Sequence, residues 1–203
     1  MCAFISGRIT KQLLKSASGE FDIESIHSLI MQESNISDLG CIGECFGLER
    51  LDLSCNDITK LYALAGLTNL LYVNLSANRI TSLEGLQALD NLTMLNLSGN
   101  LIASMDTVQC LSSLEKLRDI RLQDALKGLS NPICMNTSYK KDVLNILSNI
   151  HTLDGERVRG RGKELSELCE EMDELLKSEY FVLLAKHTNS YKFCCSTRTS
   201  GVG

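Results

Sequence analysis

Residues 48–58 read LERLDLSCNDI, residues 70–80 read LLYVNLSANRI and residues 92–102 read LTMLNLSGNLI. The leading residues Leu48, Leu70 and Leu92 are 22 positions apart in both intervals, and every copy fits L-x-x-L-x-L-x-x-N-x-I, with Val73 at one leucine site. Alternation within L-x-L is the two-residue period of a strand with one face turned inward. A fixed period of this length means stacked units, each too small to bury its apolar face alone. The chain is therefore read as a curved solenoid.

The motif is the leucine-rich repeat, in which a short strand and a helical or looser return form one rung. Three clean repeats cover 48–69, 70–91 and 92–113. A degenerate one precedes them over Ile26 to Gly47, keeping Ile26, Leu29, Met31, Ile36, Leu39 and Ile42 at apolar sites and placing Ser34 where asparagine is expected. Ahead of it, TKQLLKSA (10–17) predicts a short helix with Thr10 as N-cap and Ser18-Gly19 as its end. Leu13 and Leu14 should face inward, and Phe21 and Ile23 should cover the first rung. Beyond Leu111 the register changes. Leu117, Ile120 and Leu122 mark the next strand, which begins 25 residues after Leu92, and a longer helix over Asp106 to Leu114 takes up the difference. The turn asparagine is then replaced by the insertion QDALKGLS before Asn131-Pro132. A helix over Ser138 to Leu147, with Tyr139, Val143, Ile146 and Leu147 inward, leads to a last strand at Thr152-Leu153.

The expected fold class is α/β: a right-handed horseshoe with a parallel sheet on its concave face and helical caps at both ends. Its expected divisions are an N-terminal cap (1–25), repeats (26–130), a repeat cap (131–158), a helix (159–190) and a disordered tail (191–203). In that helix Leu165, Leu168, Met172, Leu175 and Val182 follow a three-and-four spacing, suited to folding back on the cap or pairing with a partner helix.

Composition narrows the function. Of 203 residues 44% are hydrophobic and 22% charged, the net charge is −5, and there is one proline and no tryptophan. An acidic balance gives no electrostatic case for direct nucleic-acid binding. No apolar run nears the ~18 residues of a membrane span, and MCAFISGRITKQ is too soon charged for a secretory signal. Nine cysteines, odd in number and without a C-x-x-C pair, suggest no disulfide framework and a reducing, intracellular location. Cys41 and Cys45 lack further ligands for zinc. Arg157, Arg159, Arg161 and Lys163 adjoin Glu164, Glu167, Glu170 and Glu171, a self-neutralising segment rather than a phosphate site. No nucleophile elbow or P-loop occurs. No catalysis, metal or cofactor is expected.

What remains is a surface. Strand residues alternating with the leucines point out of the concave face. One column reads Ser28, Arg50, Tyr72, Met94 and Asp119, and the next reads Ile30, Asp52, Asn74, Asn96 and Arg121. A third reads Gln32, Ser54, Ser76, Ser98 and Gln123, and the serine and asparagine ladders look structural. Arg50, Tyr72 and Met94 are residue types concentrated at interface centres. The candidate protein-binding set is Ile30, Arg50, Asp52, Tyr72, Asn74, Met94, Asn96, Asp119 and Arg121. Asn56, Asn78 and Asn100 should instead satisfy the backbone at each turn.

The segment NPIC, followed by Tyr139, Val143, Leu147 and LDGERV, resembles the C-terminal cap of the 22-residue repeat class, which includes phosphatase-1 regulatory subunits, the splicing protein U2 A-prime and axonemal dynein light chains. More narrowly, ITKQLLKSASGEFDIESI, LGCIGECFGLERLDLS, LSNPIC and DGERVRGRGKE resemble the leucine-rich repeat-containing protein 61 family over roughly residues 8–175. That family continues into a longer acidic tail, whereas this chain stops at CCSTRTSGVG. The resemblance implies a cytoplasmic repeat protein without assigned catalysis. The expected function is a monomeric adaptor or scaffold gripping another protein. The alternatives are a ribonucleoprotein component holding an RNA-bound protein, which would be nuclear, and a cytoskeletal or ciliary, dynein-associated subunit.

Overall fold

The computed structural model describes residues 7–159. The described residues up to Val158 form one unit. The helix expected over 159–190 and the tail over 191–203 lie outside the described residues, but for Arg159.

The N-terminal cap begins with α1 (Lys11–Ser18), entered through Thr10, whose hydroxyl accepts the Leu13 amide at 3.3 Å. The helix ends at Gly19 in the left-handed conformation, its amide donating to the Lys15 carbonyl. Leu14 is fully buried under the first rung, and Leu13 packs beside it, half-buried. Ile23 also turns inward. Phe21 does not: it is 93% exposed, because Asp22 opens a 3-10 turn over Ile23–Ser25 that aims Ile23 at the core and leaves Phe21 outside.

Strands β1 (Ser28–Ile30), β2 (Arg50–Asp52), β3 (Tyr72–Asn74), β4 (Met94–Asn96) and β5 (Asp119–Arg121) pair in parallel and in chain order. Their central residues line up as Leu29, Leu51, Val73, Leu95 and Ile120, and all five are buried. Met31 after β1, the leucine after each of the next four strands and the apolar residues of the returns fill the rest of one continuous core. The longer return before β5 carries α2 (Met105–Gln109), followed by a 3-10 turn over Cys110–Ser113.

Asparagine ends each clean rung. Asn78 donates through Nδ2 to the carbonyls of Leu75 and Ser76 on its own rung and of Leu53 on the rung before, while its Oδ1 accepts the Ile58 amide at 3.0 Å. Asn56 and Asn100 bond in the same manner. One side chain thus closes its own turn and stitches it to its neighbour, giving partners to backbone groups that the turn takes out of the ladder.

The insertion forms an antiparallel hairpin, β6 (Gln123–Asp124) with β7 (Leu129–Ser130). Behind it Asn131 takes the asparagine site: Nδ2 donates to the Leu97 and Leu122 carbonyls, and Oδ1 accepts the Ile102 amide at 3.0 Å. The turn asparagine is delayed by the hairpin rather than lost. Helix α3 (Tyr139–Ile146) then covers the last rung, with Tyr139, Val143 and Leu147 buried and Ile146 half-buried against them. Strand β8 (Thr152–Leu153) joins β5 in parallel, and β9 (Glu156–Arg157) turns back on it. Asp154 locks the cap, accepting the Leu122 and Gln123 amides on Oδ1 and the Tyr139 hydroxyl on Oδ2.

Candidate protein-binding face

Parallel pairing places Ser28, Arg50, Tyr72, Met94 and Asp119 side by side across the concave face. Strand neighbours sit roughly 4.8 Å apart, so long side chains in this column touch. The Arg50 guanidinium carbon lies 4.2 Å above the centre of the Tyr72 ring, a cation–π pair that holds both side chains in one arrangement. Met94, 44% exposed, continues the patch. A cavity of about 160 Å³ opens there, lined by Tyr72, Met94, Leu95, Asn96, Asp119 and Arg121. It therefore has an apolar floor and two opposite charges at one end. Arg121 approaches Asp124 of the hairpin at 4.0 Å. Asp124 reaches this site only because the insertion folds back beside β5, a placement without any signal in the repeat pattern.

The second column divides. Ile30 at one end and Arg121 at the other are exposed. Asp52 and Asn74 are buried, at 6% and 9% exposure, and face an internal polar ladder. Gln32 Nε2 at 2.8 Å and Asn74 Nδ2 at 3.0 Å donate to Asp52 Oδ2. The Ser54 amide at 3.0 Å and hydroxyl at 2.8 Å donate to its Oδ1. Burial pushes the Asp52 carboxyl up, but the bonds from Ser54, Asn74 and Gln32 outweigh it and hold the group below the usual carboxylate value. Asn74 Oδ1 accepts the Ser76 amide, and Asn96 Oδ1 accepts the Ser98 amide and hydroxyl. Of the nine residues singled out by sequence, Tyr72, Met94, Asn96, Asp119 and Arg121 share the cavity wall, and Arg50 joins them through Tyr72. Ile30 stands apart at the first strand.

Among the described residues no group of three or more His, Cys, Asp or Glu could hold a metal ion. Cys45 is buried at an apolar repeat site, and burial, with Cys41 and Glu44 nearby, pushes its thiol up to about 11. It stays protonated and acts as a small core residue. No described helix is long and apolar enough to cross a membrane.

Comparisons with known proteins agree with this geometry. A leucine-rich repeat family model matches residues 22–178. The chain is 53% identical over 170 residues to leucine-rich repeat-containing protein 61 of Mus musculus and 49% identical to its Homo sapiens counterpart, covering 84% of this chain in each case. It spans 66% of the length of these curated relatives. Among solved structures, a chain in the Drosophila melanogaster SNF/U2A' complex superposes with a TM-score of 0.64 at 23% identity, over 84% of this chain and 98% of that one. At that identity the likeness is one of fold. With the repeats in register, the asparagines at each turn and the family match across most of its length, the chain belongs to the leucine-rich repeat family.

Proposed function

We propose that the protein is a non-catalytic adaptor that grips another protein in its concave face. One observation carries this reading: the Arg50–Tyr72 pair stands beside Met94 and a cavity on a sheet whose parallel strands pair in register. Side chains already held in place lose little freedom on binding, so more of the contact energy becomes affinity. Tyr, Arg and Met are also the residue types that dominate interface centres. Asp119 and Arg121 at the cavity's end add orientation, whereas Asp52 and Asn74 stiffen the wall from within. A reducing, cytoplasmic setting, which the odd number and spacing of the cysteines in the sequence suggest, belongs to the same reading.

Proximity labelling in living cells tests the proposal, with Arg50→Glu/Tyr72→Ala as the control. The double variant should lose a set of neighbours that the parent chain labels, while its thermal unfolding stays nearly unchanged. Retention of the same set would remove the concave face from the binding role. Nuclease treatment before capture provides a second arm, and partners that survive it are held through protein contacts.

A further inference from the structure

The described residues include two phenylalanines, and neither lies in the core: Phe21 is 93% exposed and Phe46 54%. Neither position follows from the repeat. One and two periods after Phe46 stand Thr68 and Asp90, both exposed, so the rung requires no aromatic ring there. The loops that carry the two rings touch. The Glu24 carbonyl oxygen lies 2.5 Å from where a Cβ on Gly47 would stand, an approach that only glycine permits. The same loops and their flanks carry Glu20, Asp22, Glu24 and Glu49, all exposed. None of these four carboxylates is ion-paired among the described residues, whereas nearby Glu44 is paired with Lys11 at 2.5 Å.

Exposed aromatic rings are the side chains whose burial contributes most at an interface. The four unpaired carboxylates decide what can cover them. They repel anionic lipid headgroups and nucleic-acid phosphates alike, and they attract a segment of opposite charge. We infer that this corner, at the N-terminal cap and the first clean repeat, binds a basic amphipathic segment of a partner protein. Apolar side chains of that segment cover Phe21 and Phe46, and its Lys or Arg residues face Glu20, Asp22, Glu24 and Glu49. The surface does not include the Arg50–Tyr72–Met94 patch, so it gives the scaffold a second place to hold a partner.

The test titrates the full chain with a synthetic 18-residue Leu/Lys amphipathic peptide and with a Leu/Glu peptide of the same apolar pattern. The Leu/Lys peptide should bind, more weakly as salt is raised, and the Leu/Glu peptide should not. Phe21→Ser/Phe46→Ser should weaken binding at least tenfold without changing the melting temperature, since both rings stand outside the core. Glu20→Gln/Glu24→Gln should weaken it and flatten the salt dependence, whereas Tyr72→Ala should leave it intact. Absence of Leu/Lys binding, equal binding of the Leu/Glu peptide, or undiminished binding by the phenylalanine variant would each overturn the inference. Loss of binding with Tyr72→Ala would move the site to the concave face.

Discussion

The rungs built on β2, β3 and β4 leave their strands by one route, and the rung built on β5 leaves by another. In the regular region the residue before each asparagine turns left-handed: Cys55 at φ 58°, Ala77 at 53° and Gly99 at 70°, with Glu33 at 51° on the degenerate first rung. These positions are 22 apart, so the turn repeats as faithfully as the leucines. Behind β5 the residue before the asparagine, Ser130, is not left-handed, and the positive φ falls instead on Gly128 within the hairpin, at 65°. The chain runs out into the hairpin and returns at Ser130, and Asn131 then makes the bonds that Asn56, Asn78 and Asn100 make elsewhere. The backbone groups to be satisfied are the same on every rung, while the path between strand and asparagine is free to lengthen.

The largest expected effect lies in the regular core. Leu75 is fully buried between rungs, and Leu75→Ala should cost roughly 2–5 kcal/mol in denaturant unfolding. Removing the turn asparagine comes next. Asn78→Ala and Asn131→Ala each strip partners from at least two buried carbonyls and one amide, so each should cost about 2–3 kcal/mol. A negligible effect at Asn131 would show that the hairpin rung is not held in the manner of the others. Deleting Asp124–Leu129 rejoins Leu122-Gln123 to Ser130-Asn131 and restores the L-x-x-N spacing of the regular rungs. That shortened chain should fold cooperatively, within about 1 kcal/mol of the parent, as surface insertions are tolerated either way.

The two regions should also respond to opposite ends of the pH scale. Asp52 in the regular ladder is held below its ordinary value. Its contribution is present above the unfolded value of about 4 and is lost as pH falls through the folded one. Asp52→Asn should remove that acid dependence. In the cap, burial first and then the bond to Asp154 push the Tyr139 hydroxyl well up. The unfolded chain therefore sheds this proton first, and stability should decline as pH rises above about 10. Tyr139→Phe should flatten that alkaline limb, read from unfolding midpoints between pH 9 and 11. The smallest effect is a gain. Ala77→Gly relieves a left-handed alanine and should add about 0.5–1 kcal/mol. Gly99→Ala should do the reverse, because its Cβ would also meet Leu129 Cδ2 at 2.9 Å.

Much of this was legible in residue order because a rung is a local object. The 22-residue interval, the buried columns, the Thr10 cap and the Tyr139, Val143 and Leu147 face of α3 depend on neighbours a few positions away or one period away. Period and polarity therefore determined the solenoid, its core and the outward position of Arg50, Tyr72 and Met94. Three matters waited for the tertiary structure, because each turns on contacts that periodicity does not encode. Asn131 became the turn asparagine only once the hairpin closed and Leu97 and Leu122 presented their carbonyls. Asp52 and Asn74, outward by alternation, were drawn into a ladder by Gln32 and Ser54, since a buried carboxylate is stable only where donors surround it. Phe21, apolar and two residues before Ile23, was left in water because the turn capped by Asp22 aims Ile23 at the core instead.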